Sequence, residues 1–129
     1  MTTAARGRSF ARFVRYWLPA LAYVTLIFLV SSRPYLRAPL RFQNADKLVH
    51  VLEYGGLGVL WARALGSTSR FRGALRGGSM ALMLGMVVGA SDEVFQAGVP
   101  GRQSSVFDFL ADTLGLALAV LIYLGARRD

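Results

Sequence analysis

Four long stretches of mainly apolar residues alternate with short polar and basic segments along the chain. Each stretch is close to the roughly 20 residues that an α-helix needs to cross the hydrocarbon core of a bilayer. The pattern therefore predicts an all-α fold, a four-helix transmembrane bundle with short loops. The predicted spans are residues 14–32, 47–65, 77–97 and 106–126. They form one membrane domain, residues 14–126, between a basic N-terminal segment, residues 1–13, and a C-terminal segment, residues 127–129.

The composition favours a membrane protein over a soluble domain. Of the 129 residues, 54% are hydrophobic, which is more than a small soluble domain can bury. The net charge of +8 would suggest nucleic acid as the partner of a soluble chain. Here the basic residues lie between apolar stretches instead of on one helical face, so we expect the lipid bilayer as partner and no nucleic acid. Because the chain has no cysteine, disulfides and thiolate metal sites are excluded.

The distribution of Lys and Arg predicts the orientation. Ten of these 15 residues lie before the first span, between the second and third, after the fourth, or within two residues of these span ends, and five lie on the other side. By the positive-inside rule, we expect both termini in the cytoplasm and the loop of residues 98–105 outside. The predicted location is the bacterial plasma membrane, which the chain would cross several times. The sequence does not determine the oligomeric state.

Six of the seven acidic residues lie within the predicted spans or at their ends. A carboxylate near the centre of a bilayer costs about 2.5 to 3.5 kcal/mol on insertion scales, so such residues usually have a function. The second span carries polar side chains at positions i, i+4 and i+7, and the next two spans each carry a pair at i and i+4. All lie toward the outer end, where we expect the three polar stripes to meet. They comprise Asp46, His50 and Glu53, then Asp92, Glu93 and Gln96, and finally Asp108 and Asp112.

These polar residues fall into four short motifs with distinctive spacing. The motifs are Asp46-Lys47-x-x-His50-x-x-Glu53-Tyr54-x-x-Leu57-Gly58, Asp92-Glu93-x-x-Gln96, Pro100-Gly101-Arg102 and Asp108-x-x-x-Asp112-x-x-Gly115. In order and spacing they closely resemble the motifs of the VanZ-like family of small bacterial membrane proteins. The family usually has Asn at the position of Asp112. The resemblance implies a cell-envelope role linked to glycopeptide-antibiotic resistance, and it implies no established reaction.

The six acids need positive partners. The basic residues beside them are Lys47 and Arg102. The excess is therefore about four negative charges in a layer of low dielectric. Protons, a cation or a cationic ligand must neutralise this excess. A divalent cation such as Zn²⁺, Mn²⁺ or Mg²⁺ is one hypothesis. General acid and base catalysis beside the single histidine is a second, and a proton relay is a third. The candidate metal ligands are His50, Glu53 and Glu93, with Asp92 or Asp108 as further donors.

The other candidates follow from the same cluster. Arg102, on a tight Pro-Gly turn, suits either locking the loop by salt bridges or binding a phosphate or carboxylate bidentately. The candidate catalytic residues are His50, Glu53, Asp92, Glu93 and Asp112. The candidate binding residues are Asp46, Lys47, Tyr54, Gln96, Arg102 and Asp108.

The leading functional hypothesis is a VanZ-like envelope protein that binds or modifies a lipid-linked or cell-wall component at an outward-facing polar site. The alternatives are a proton-coupled transporter and a non-catalytic helical scaffold for an envelope partner. A purely structural explanation is that the polar groups hold the helices together, although one such bond contributes only about 0.6 kcal/mol on average.

Overall fold

A computed structural model describes residues 3–37 and 41–127, and every regular element within these ranges is helical. The all-α prediction is confirmed. Residues 1–2 of the predicted N-terminal segment and residues 128–129 of the predicted C-terminal segment lie outside the described ranges. The α-helices are α1 (Thr3–Arg12), α2 (Leu18–Ser31), α3 (Ala45–Gly66), α4 (Ala74–Gln96) and α5 (Val106–Gly125). A π-helical turn, Phe13–Trp17, lies between α1 and α2, and a 3₁₀ turn, Ser69–Phe71, precedes α4.

The first helix is longer than predicted, because α1, the π turn and α2 follow one another without a break. Pro19, near the start of α2, lacks an N–H and its ring crowds the carbonyl four residues earlier. The chain meets this constraint with a wider turn, in which the N–H of Leu18 donates to the carbonyl of Phe13. The helix thus continues through the predicted start of the span at residue 14.

Three helices are long and apolar enough to cross a membrane, namely the first helix from Ala5 to Ser31, α4 and α5. The prediction of four spanning helices was therefore wrong for the span at residues 47–65. The corresponding helix, α3, has 22 residues and a length of about 33 Å, so its length suffices. Its composition is too polar for it to be among the membrane-spanning helices. The polar side chains responsible are Asp46, Lys47, His50, Glu53 and Arg63. The side of the membrane on which the termini lie stays a prediction.

α3 lies at the centre of the bundle, in contact with α5, α4 and the first helix. Below its polar first turns, it contributes large apolar side chains to the buried core. Trp61 meets Trp17 of the π turn edge to face, with ring centroids 6.2 Å apart. The core comprises Ala20, Ile27, Tyr54, Leu57, Trp61, Ala62, Leu65, Ala81, Leu116 and Val120.

Small residues let α5 approach α3 and α4 closely. A Cβ added at Gly58 would lie 3.1 Å from the carbonyl oxygen of Leu116. On α5, Gly115 faces the backbone carbonyl of Val51 so closely that a Cβ there would clash. Gly85 on α4 likewise faces the side chain of Leu116. Such small-residue contacts bring helix backbones together where no water drives association, and they place the polar stripes within bonding distance.

One end of the bundle is fixed by contacts between two loops. The N–H of Tyr35 donates to the carbonyl of Pro100 at 3.3 Å. Gly101 has φ +73, and the Tyr35 ring packs where its Cβ would be, so only glycine fits this turn. The starts of α3 and α5 and the end of α4 lie at this same end, which we call the polar end.

Candidate functional site

Two polar side-chain pairs join α3 and α5 at the polar end, one an ion pair and the other a contact between an imidazole and a carboxylate. Lys47 binds the carboxylates of Asp46 and Asp108. One helical turn deeper, Nδ1 of His50 lies 2.7 Å from Oδ1 of Asp112. The hydrogen bond from Lys47 holds the pKa of Asp46 below its ordinary value. The i, i+4 spacing on α5 and the i, i+3 spacing on α3 thus place two successive polar pairs in one interface.

A second network links the first helix, α3 and α4. The side-chain amide of Gln96 donates to Oδ2 of Asp92 at 2.8 Å and to the hydroxyl of Ser31 at 3.2 Å. The Tyr54 hydroxyl donates to the same Asp92 oxygen at 3.4 Å. Asp92, Gln96 and Tyr54 are all buried. One carboxylate oxygen on α4 therefore bonds Tyr54 of α3 directly, and it is linked to Ser31 of α2 through Gln96.

Glu93 connects α4 to the start of α5. Its Oε2 accepts from the backbone N–H of Ser105 at 2.9 Å and from the hydroxyl of Ser104 at 3.2 Å. Ser105 is also the N-cap of α5, because its hydroxyl accepts from the N–H of Phe107 at 3.1 Å. Glu93 thereby fixes the start of the helix that carries Asp112.

Three buried carboxylates each have one oxygen that is bonded and one that is not. Oδ1 of Asp92, Oε1 of Glu93 and Oδ2 of Asp112 have no hydrogen-bond partner among the described residues. Asp112 is 0% exposed and Glu93 is 7% exposed. Unpartnered buried charge is unfavourable by several kcal/mol, so a proton or a cation is expected at these oxygens.

An open cavity of about 350 Å³ adjoins this cluster at the polar end. Its volume lies within the range of ordinary small-molecule sites. Cationic and anionic side chains both line it, which suits a ligand with a charged group. The polar lining residues are Ser31, Arg37, Asp46, His50, Glu53, Gln96, Arg102, Gln103 and Asp108.

Arg102 anchors the cavity loop through backbone carbonyls. Its Nη2 donates to the carbonyl of Val30 at 2.8 Å and its Nε donates to that of Arg33 at 3.2 Å. The ion pairs of the described residues do not include Arg102. A guanidinium has five N–H donors, so donors remain beyond these two bonds on a residue that lines the cavity.

The comparison with known protein families decides the classification. A model of the VanZ/LLP1 family matches residues 5–127. The chain belongs to the VanZ/LLP1 family. The resemblance seen in the motifs is therefore confirmed. No curated protein and no solved structure matches the chain.

In this VanZ/LLP1 chain the fold gathers the sequence-predicted residues at the polar end, in two groups. Donor atoms of His50, Glu93 and Asp112 lie within 4.8 Å of one another. Glu53, another candidate metal ligand, is not in that set and lines the cavity instead. Tyr54 is fully buried behind Asp92, so it supports the cluster from within and does not line the cavity.

Three serines contact the polar cluster and were not among the sequence-predicted site residues, namely Ser31, Ser104 and Ser105. Ser31, the partner of Gln96, is the last residue of an apolar helix and carried no recognisable signal. Ser105 could have been found, since Ser105-x-x-Asp108 before an apolar run is a typical helix start.

Proposed function

We propose that this VanZ/LLP1 protein is a membrane protein of the bacterial cell envelope whose polar cavity binds or modifies a lipid-linked or cell-wall component. The observation that carries the proposal is the cavity of about 350 Å³, lined by charges of both signs, at one end of an apolar helical bundle. A contribution to glycopeptide-antibiotic resistance is part of the proposal.

Cationic and anionic residues of the cavity would have different roles in binding the ligand. Arg37 is exposed and lines the cavity, and Arg102 has donors beyond those bound to carbonyls. Guanidinium groups bind phosphate and carboxylate with two parallel hydrogen bonds, so these two residues would contact the anionic group of the ligand. His50 and Glu53 line the same cavity and would supply proton or cation chemistry.

The charge distribution supports an outward-facing cavity. α4 is apolar enough to span the membrane and joins the basic loop before it to the loop of residues 98–105. The basic loop carries Arg70 and Arg72, and Arg76 follows in the first turn of α4. The positive-inside rule favours the cytoplasm for this end, which would place the polar end outside.

Single cysteines at Ser69 and Ser104 test this orientation, because the two positions lie at opposite ends of α4. We expect an impermeant thiol reagent added to intact cells to label position 104 and not position 69. Labelling of position 69 alone would place the cavity in the cytoplasm and contradict the proposal.

The function itself is tested in cells that produce the protein. The wild type should raise the glycopeptide concentration needed to stop growth, and Arg37→Ala should remove most of that increase without lowering the melting temperature. Arg70→Ala is the matched control, because Arg70 is also an exposed arginine but lies at the opposite end. Equal effects of the two substitutions would contradict a role for the cavity.

The transporter alternative has less support. A proton relay requires polar groups or water from the acids to the opposite face. Beneath the acids, the described positions between α3, α4 and α5 are apolar and buried, among them Leu57, Ala81 and Leu116. We therefore favour a binding site over a transport path.

A scaffold role has one observation in its favour. An apolar groove between α3 and α5 is lined by small residues, including Gly55, Gly115 and Ala119. Close packing of small residues is how helices associate in membranes. Val59→Trp would fill this groove, so a scaffold should lose its envelope phenotype in this variant, whereas a cavity-dependent protein should keep it.

A further inference from the structure

We propose that His50, Glu93 and Asp112 form a binding site for a single divalent cation, Zn²⁺ or Mn²⁺. The proposal goes beyond the function proposed above, because the site uses residues of three helices and does not require an envelope ligand. Its basis is the convergence of donor atoms together with two buried oxygens that lack partners.

The three side chains come from α3, α4 and α5, and their donor atoms lie within 4.8 Å of one another. Two ligands of one ion, each bound at about 2.1 Å, can be at most about 4.2 Å apart. Two donor atoms at the full 4.8 Å would therefore have to approach each other by about 0.6 Å to bind one ion. Small rotations about side-chain bonds, within the present rotamers, supply a shift of this size without moving a helix.

The unpartnered oxygens are the second, independent observation. Oε1 of Glu93 and Oδ2 of Asp112 are buried and have no hydrogen-bond partner among the described residues. Glu93 is 7% exposed and Asp112 is 0% exposed, so solvent does not satisfy them. Each is an acceptor with a free lone pair on a side chain of the cluster, and such an acceptor is what an ion requires.

The other oxygen of each carboxylate is already held. Oε2 of Glu93 accepts from the Ser105 N–H at 2.9 Å, and the other Asp112 oxygen faces His50. Metal ligands are typically oriented by contacts outside the ligand set, such as the bond from Ser105 to Glu93. The contact between Asp112 and His50 instead joins two of the ligands themselves. The free oxygen of Glu93 is thus oriented by the protein, and that of Asp112 belongs to a side chain that already contacts another ligand.

The donor set determines the kind of ion. One imidazole and two carboxylates suit Zn²⁺ and Mn²⁺, whereas Ca²⁺ prefers six to eight oxygens and Mg²⁺ prefers oxygen with retained water. Two carboxylates also balance the charge of a divalent ion, so the buried site would be neutral. Three protein ligands leave a coordination position open, as in catalytic zinc sites.

Calorimetric titration of the purified, chelator-treated protein in detergent, with no lipid ligand added, tests the site. We expect one Zn²⁺ or Mn²⁺ per chain, and much weaker binding of Mg²⁺. Asp112→Asn and Glu93→Gln should each weaken the affinity at least about 100-fold, more than the loss of an outer contact produces. Absence of stoichiometric binding to the wild type would overturn the proposal and leave protons as the neutralising partners.

Matched controls separate ligand loss from damage to the helices. Ser91 precedes Asp92 on α4 and Thr113 follows Asp112 on α5, and each hydroxyl donates only to a carbonyl of its own helix in the described contacts. Ser91→Ala and Thr113→Ala should therefore keep wild-type affinity. Equal weakening in ligand and control variants would overturn the assignment.

A measurement on the wild type covers the case in which the variants do not fold. X-ray absorption at the zinc edge should show one nitrogen and two or more oxygen neighbours at about 2.0 to 2.2 Å. A shell of oxygens alone would indicate an ion bound elsewhere and would contradict the site. Because neither experiment contains an envelope ligand, failure of the metal site leaves the envelope-binding proposal to its own tests.

Discussion

Replacing Gly115 by alanine should separate the two helices that carry the polar pairs. An added Cβ would clash with the backbone carbonyl of Val51, and a backbone atom in a helix cannot rotate away. Asp112 lies almost one turn earlier on the same helix and pairs with His50 at 2.7 Å. The displacement should therefore weaken this pair as well as the packing.

The facing helix offers a matched control at the same interface. A Cβ added at Gly55 would lie 3.7 Å from the carbonyl oxygen of Gly115, an ordinary contact. Alanine is favoured over glycine in helices by about 1 kcal/mol, and this is the expected gain for Gly55→Ala. Overpacking typically costs about 1 to 3 kcal/mol. A clash with a backbone atom belongs at the upper end of this range, about 3 kcal/mol. After subtraction of the gain in helix propensity, Gly115→Ala should lower the free energy of unfolding by about 2 kcal/mol.

Thermal unfolding in detergent measures the difference. The melting temperature should fall by about 5 to 10 °C in Gly115→Ala and rise by a few degrees in Gly55→Ala. Similar shifts in both variants would show that glycine acts through helix propensity alone, and would refute the close approach of α3 and α5 at the polar end.

Three further predictions concern the same end. Lys47→Met removes the partner of Asp108, whose side chain is 8% exposed. It should lower the free energy of unfolding by about 1 to 2 kcal/mol, since Lys47 is itself partly exposed. Adding Asp108→Asn should restore part of this loss, and no recovery would contradict the pairing. Ser105→Ala should cost about 1 kcal/mol through the lost N-cap, and Ser105→Gly only a few tenths, so equal chemical-denaturation midpoints would rule the cap out. The pKa of Asp46 is lowered by its bond to Lys47, so that bond stabilises the protein above the ordinary Asp pKa of 3.8 and is lost as pH falls below it. Asp46→Asn should therefore remove this part of the fall in melting temperature at acid pH. An unchanged dependence of melting temperature on pH would contradict the assignment.

Helical spacing was enough to predict which two acids of α5 share one face, although, contrary to expectation, Glu53 does not join His50, Glu93 and Asp112. Asp108 and Asp112 are four residues apart and do face α3 together, as the period of the helix requires. The same periodicity predicted the polar first turns of α3. Which residues share a helix face depends only on local sequence, so it can be predicted from the spacing of residues along the chain.

Other features depend on contacts between distant segments. The longer first helix results from accommodation of Pro19 by a π turn. The partners of Arg102 are backbone carbonyls at the end of α2 and in the loop that follows it. Backbone carbonyls carry no residue-specific pattern, so no motif could reveal them. The span at residues 47–65 was overestimated because its length suffices for a membrane span while its composition is too polar.

The cavity at the polar end is proposed to bind a molecule of the cell envelope. Titration of the purified protein with a polyprenyl phosphate in detergent tests this most directly. We expect saturable binding at one site, about 10-fold or more weaker in Arg37→Ala because a charge-assisted hydrogen bond is lost, and unchanged in Arg70→Ala. Non-saturable binding by the wild type, or equal weakening in both variants, would contradict the account.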